Sequence, residues 1–184
     1  MAIVSAFSKV IELKDQYTKH HLESTAEIAV KIGKKIGMCS EAQEQLWMAG
    51  HLHDIGKVQV PGEILNKVGR LTPVEFDVIK EHSIHGYEIL KDFDFGFPLA
   101  EIVAQHHERL DGSGYPNGLK GSEIHYMSKI IAVADVLDAL QSDRSYRSKM
   151  SKEDIITILS AGAGIHFEPE LVKACCEILY ECDN

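Results

Sequence analysis

Residues 18–37, TKHHLESTAEIAVKIGKKIG, decide how the rest of the chain is read. Leu22, Ala26, Ala29, Ile32 and Ile36 recur at three- and four-residue intervals, which makes one apolar stripe along a helix. Gly37 is placed to stop that helix. The same period continues outward. Ser40 to Gln43 reads as a capping box opening a helix that ends near His53. Pro61-Gly62 and Val68-Gly69 mark a loop, and Thr72-Pro73-Val74-Glu75 then combines a cap, a first-turn proline and a returning carboxylate. Further helices are predicted over roughly 73–92, 98–108, 122–140, 151–161 and 169–181, with an initial one at about 3–16. No segment sustains the two-residue alternation of a strand. Asp111 to Gly121 holds four glycines and one proline, so it is predicted to be an irregular loop. The expectation is an all-α chain.

The 184 residues and 20.5 kDa fit one domain spanning 1–184, since domains run to about 150 residues. With 45% apolar and 26% charged residues the composition suits a packed core and excludes a disordered or fibrous chain. No uncharged apolar run approaches the length of a membrane span, and Met1 to Lys14 lacks the pattern of a secretory signal. Twenty-eight acidic against 19 basic residues give a net charge of −9, which argues against DNA and anionic membranes as partners. A small anion is still compatible with that charge, because a metal or local cations can reverse the field in a cleft. Cys39, Cys175, Cys176 and Cys182 form no C-x-x-C pair and read as reduced thiols of a cytoplasmic protein.

Ten histidines are the unusual feature. His21 shares a helical face with Thr25, Ile28 and Ile32. His53-Asp54 closes a helix whose inner face carries Leu46 and Ala49. His82 lies at whole-turn spacing from Val78 and Ile89, and His106-His107 follow Ile102 and Val103 by one turn each. Asp135 interrupts the apolar run from Ile130 to Leu137. An unpaired buried carboxylate costs several kcal/mol, so Asp135 needs a partner. Any one of these histidines alone reads most simply as core or surface. Five histidines and two aspartates on inner edges of separate helices point instead to a metal site. Imidazole with carboxylate suits iron or manganese. One carboxylate between two sets of histidines can bridge two ions, the arrangement used to hydrolyse phosphate esters.

His53-Asp54-Ile55-Gly56-Lys57 and the run from His106-His107-Glu108-Arg109-Leu110 through Asp111-Gly112-Ser113-Gly114-Tyr115-Pro116 resemble the two signatures of the HD-GYP family. The resemblance also takes in Tyr17-Thr18, Glu63 to Lys67, Ala134-Asp135 and Ser142-Asp143-Arg144, and covers roughly residues 15–181. It implies a single all-α domain of the HD-phosphohydrolase type, with about seven to nine helices and a glycine-rich loop. The activity it implies is phosphodiester hydrolysis of cyclic di-GMP to the linear dinucleotide pGpG, with GMP as a further product in some members. Another nucleotide such as 3′3′-cyclic GMP-AMP, or a receptor of low turnover, is the alternative.

By motif, His21, His53, Asp54, His82, His106, His107 and Asp135 match the positions that bind two divalent ions, iron or manganese, with a hydroxide between them as the nucleophile. Asp54 is expected to bridge, with His21, His53 and Asp135 towards one ion and His82, His106 and His107 towards the other. Lys57 matches a catalytic lysine beside the metals, acting on the transition-state charge or the leaving oxygen. Arg144 and Arg147 match phosphate-binding positions, and Tyr115 is expected at the pocket mouth. Glu108 and Asp111 are expected to orient ligand histidines. The loop Asp111–Gly121 is linked in the family to protein partners. The initial helix is a connector, a homodimer contact, or, through Ile3, Phe7, Val10 and Ile11, part of the core.

The sequence departs from the family pattern in places. Tyr17 stands where some members place a glutamate serving a third metal, which favours two ions and the linear product. His20 replaces a common glycine, Leu110 a common aromatic, and His125 and Ser145 common prolines. Trp47, Phe93, Phe95 and Phe97 read as packing, and His20, His51, His85, His125 and His166 as surface or core.

Overall fold

The computed structural model of the protein describes residues 2–15, 20–142 and 150–181. In chain order its helices are α1 (Ala2–Lys14), α2 (His21–Lys35), α3 (Ser40–Leu52), the single turn α4 (Gly62–Leu65), α5 (Pro73–Lys80), α6 (His82–Leu90), α7 (Leu99–Ala104), α8 (Tyr126–Gln141), α9 (Lys152–Gly162) and α10 (Pro169–Glu181). Short 3-10 turns cover Ile55–Gln59 and Gly121–Glu123. Among the described residues there is no strand, only two isolated bridges, Asp111 with Lys120 and Ala163 with Phe167. The all-α expectation holds.

The stripe in 18–37 explains the centre of the fold. Leu22, Ala26, Ala29 and Ile32 are buried, α2 packs on α3 and α8, and Leu22, Ala29 and Ile32 share one core cluster with Leu46 and Ala49 of α3 and Ile130 and Leu137 of α8. Gly37, at φ 79°, ends α2 as its position predicts. The Thr72 box forms in full: Thr72 Oγ1 accepts from Glu75 N at 3.3 Å, and Glu75 Oε2 accepts from Thr72 N at 2.7 Å. Ser151 Oγ caps α9 by accepting from Asp154 N at 3.1 Å.

Four local expectations are corrected. Ser40 is itself the first residue of α3, so its hydroxyl does not cap the helix, and Gln43 Nε2 donates to Met38 O at 2.7 Å instead. The helix expected over 73–92 breaks after Lys80, and α6 packs instead on the Ile55–Gln59 turn and on α7. That contact is close: a Cβ on Gly56 would fall 1.9 Å from His82 O, so no other residue fits there. The helix expected over 98–108 ends at Ala104, leaving His106 and His107 beyond it. The start expected at 122 is a 3-10 turn, and α8 opens at Tyr126, where His125 Nδ1 accepts from Met127 N at 3.2 Å.

α1 packs on α3 and on the Ile55–Gln59 turn through buried Val4 and Ile11, and Ser8 Oγ donates to His51 O at 3.1 Å. Phe7 and Val10 are exposed, contrary to a core role for them, and the Ile3 side chain lies outside what is described. Asn66 Nδ2 donates to Lys14 O at 2.9 Å and the Lys14 ammonium to Val58 O, which ties down the end of α1. No helix among the described residues is long and apolar enough to cross a membrane. Cys39, Cys175 and Cys176 are free, and Cys182 lies outside the described residues.

Candidate metal centre

Seven side chains from five places in the chain converge on one point. His21 opens α2, His53 and Asp54 follow α3, and His82 opens α6. His106 and His107 follow α7, and Asp135 sits in the middle of α8. His53, Asp54, His82 and His106 are buried. Ligand atoms of His21, His53 and Asp54 all lie within 4.8 Å of one another, and so do those of His82, His106 and His107.

Asp54 stands between the two groups. Its Oδ1 faces His82 Nε2 at 3.4 Å, whereas its Oδ2 faces His53 Nε2 at 3.4 Å and His21 Nε2 at 3.9 Å. Asp135 Oδ1 is 3.2 Å from His21 Nε2, on the first group's side. One carboxylate therefore offers a different oxygen to each histidine set.

Backbone geometry fixes which imidazole nitrogen is available. His53 Nδ1 donates to Gly50 O at 2.8 Å, His82 Nδ1 to Ile79 O at 2.7 Å, and His106 Nδ1 to Val103 O at 2.6 Å. Each acceptor is the carbonyl three residues earlier, in the last turn of a helix. A carbonyl can only accept, so Nδ1 carries the proton and a neutral ring turns its Nε2 lone pair to the centre. Burial keeps His82 and His106 below the usual histidine range and pushes His107 down to about 3, so all three are neutral. His82 Nε2 and His106 Nε2 consequently face each other at 3.3 Å with no proton between them. His53 Nε2 is buried without a hydrogen-bond partner among the described residues. Opposed lone pairs and an orphaned nitrogen are unfavourable by themselves and are relieved by a cation. The donor set, imidazoles with one shared carboxylate, fits two divalent first-row ions.

His21 behaves differently. Burial alone would lower it, but hydrogen bonds to Asp135 and Asp138 together outweigh burial and hold it at about 9. Asp138 Oδ2 meets His21 Nδ1 at 2.6 Å, and Asp138 is buried. This carboxylate was missed in the sequence, although it lies three residues after Asp135 on the same face of α8. Asp54 is ionised: burial would raise it, but the Lys57 ammonium, with the histidines, holds it well below the carboxylate range.

Lys57 Nζ lies 2.8 Å from Asp54 Oδ2 and 3.0 Å from Asp15 Oδ2. Burial would lower this lysine, but the two carboxylates raise it further, so it stays an ammonium. Buried Asp15, at the end of α1, was also missed; it belongs to no periodic pattern, and only the tertiary contact reveals it.

Tyr115 covers the second histidine group. Its ring lies 4.6 Å from the His107 ring and 6.4 Å from the His82 ring. Among the described residues, neither Glu108 nor Asp111 makes a hydrogen bond or ion pair with a candidate ligand histidine. Buried Glu108 instead accepts from Asn117 N at 2.7 Å and Leu119 N at 3.0 Å, clamping the Asp111–Gly121 loop, and Asp111 accepts from Ser113 N at 2.9 Å. The loop needs Gly114, where a Cβ would fall 2.4 Å from His107 O. Tyr17, Arg144, Ser145 and Arg147 lie outside the described residues. Trp47, Phe95 and Phe97 pack against the core as expected, while Phe93 is exposed.

A family model described as the HD domain matches residues 5–171. The chain is 40% identical over 159 residues to 3′3′-cGAMP-specific phosphodiesterase 1 of Vibrio cholerae, covering 86% of this chain and 37% of that protein. It is 39% identical over 173 residues to the cyclic di-GMP phosphodiesterase response regulator RpfG of Xanthomonas campestris, covering 93% of this chain and 46% of that one. The chain thus spans less than half the length of these two relatives. Among solved structures, Bd1817, an HD-GYP-type protein of Bdellovibrio bacteriovorus, superposes with a TM-score of 0.72 at 21% identity, covering 88% of this chain and 52% of the other, which supports the fold. With its two signatures folded around one centre, the chain belongs to the HD-domain family, on its HD-GYP branch.

Proposed function

We propose that the chain is a metal-dependent phosphodiesterase that opens a cyclic dinucleotide, cyclic di-GMP or 3′3′-cyclic GMP-AMP, to its linear form. The observation that carries this reading is Asp54, whose two oxygens face two separate histidine groups while Lys57 stands beside it. Relatives acting on each of the two dinucleotides are almost equally similar, so identity does not separate the substrates. Guanine is common to both.

His21, His53, Asp54 and Asp135 would hold one divalent ion, and His82, His106, His107 and Asp54 the other. When bound, such a pair supplies Lewis acidity, activating water at neutral pH and neutralising phosphate charge. The chain's own residues do the rest. The i−3 carbonyls keep three imidazoles aimed inward, so little reorganisation is needed on binding the phosphate. Lys57 presents an ammonium held between Asp54 and Asp15, able to donate to a phosphate oxygen or to the departing ribose 3′ oxygen. Tyr115 shields the His107 side from water. Arg144 and Arg147 are proposed to take phosphate, and the exposed residues Asp111, Ser113, Asn117 and Lys120 to meet a partner protein. A homodimer contact would use Phe7, Val10 and Leu13, exposed along α1.

The test is chromatography after incubating each cyclic dinucleotide with protein loaded anaerobically with iron(II) or manganese(II), beside Asp54→Ala. Linear dinucleotide from the wild type alone is expected. Decay onward to GMP would overturn the two-ion, linear-product reading, and binding without cleavage at full metal occupancy would make the chain a receptor.

A further inference from the structure

A cyclic dinucleotide carries two phosphodiesters, and only one can sit between Asp54 and the histidines. The second needs cations at the rim, and besides Arg144 and Arg147, which lie outside the described residues, three described side chains come into question. Lys57 is engaged with Asp54 and Asp15. Arg109 is half-buried and engaged, donating to Glu108 O at 2.8 Å and lying 5.1 Å from the Phe167 ring. Lys80 is different. Two residues before His82, at the end of α5, it holds its ammonium 5.9 Å from the Tyr115 ring centroid and 5.3 Å from that of Phe76. The same tyrosine ring lies 4.6 Å from the His107 ring, so this cation stands within one side chain of the candidate centre. Its side chain is 32% exposed, and its carboxylate partner, Asp77 Oδ1 at 2.5 Å, is 68% exposed. An exposed i,i+3 pair contributes little, so an incoming phosphate can replace Asp77. Phe76, itself exposed, offers an open aromatic face beside the same ammonium.

We infer that Lys80 binds the uncleaved phosphodiester of the substrate, with Tyr115 and Phe76 forming the aromatic wall beside it. This rests on the proposed function and deepens it. The lysine contributes substrate affinity and leaves the bond-breaking step untouched.

Steady-state kinetics of manganese-loaded protein test the assignment, using cyclic di-GMP, 3′3′-cyclic GMP-AMP and the small diester bis(p-nitrophenyl) phosphate, which has no second phosphodiester. Lys80→Met should raise KM for the cyclic dinucleotides about tenfold, as loss of one charge-assisted contact implies, with kcat within about twofold. Its turnover of the small diester should match wild type, and Lys80→Arg should restore KM. Asp77→Asn, which removes the competing carboxylate, should lower KM. An unchanged KM in Lys80→Met overturns the assignment, and so does an equal loss on the small diester, which would mean that Lys80 only props Tyr115. If the wild type opens no cyclic dinucleotide, the proposed function fails first and this inference falls with it.

Discussion

His20 has φ 67°, a left-handed backbone that glycine adopts without strain and histidine does not. His20→Gly should therefore stabilise the protein by about 0.5–1 kcal/mol, the strain relieved less the entropy of a freer unfolded chain. Thermal melts should show a Tm higher by about 1–4 °C, and a lower Tm would count against the argument. Asp138 supports a second prediction at this scale. It is the partner of His21 Nδ1, and removing a carboxylate that orients a ligand histidine typically weakens metal binding about 10–100-fold. Asp138→Asn should do so in a chelator-competition titration, with the far-ultraviolet CD of the helices unchanged. Metal affinity equal to wild type would show that Asp138 is not needed to orient His21.

At the scale of elements, the Asp111–Gly121 loop has two isolated backbone links to a buried carboxylate, Asn117 N and Leu119 N to Glu108. In Glu108→Gln one amide oxygen can still accept, but the NH2 group faces the other N–H. A buried unsatisfied donor costs about 1–3 kcal/mol. The expected outcome is faster hydrogen exchange at Asn117 and Leu119, with exchange in α2 unchanged. The elements also show what was legible in the residues. α2, α5, α9 and α10 follow from stripe and cap signals. The breaks after Lys80 and Ala104 do not, because His82 and Ile89 keep whole-turn spacing from Val78, and His106 and His107 from Ile102 and Val103, so the period runs on past points where packing against the Ile55–Gln59 turn and α8 takes over.

For the whole molecule, the centre joins α2, α3, α6, α7 and α8, so whatever neutralises its opposed nitrogens cross-links most of the fold. Manganese at a hundredfold excess over its Kd adds about 2.7 kcal/mol to stability. Chelation by EDTA should then lower Tm by about 5–10 °C for a domain of this size. No shift would mean that no ion binds there. The residues by themselves determined the helical class, because periodicity is a local property, and they determined the candidate ligands, because His-Asp and the glycine-rich run are contiguous. Asp15, Asp138, the three carbonyls that aim the imidazoles, and Lys80 above Tyr115 were decided by tertiary structure. Each acts through direction or through a contact between segments far apart in the chain, and a linear spacing rule encodes neither.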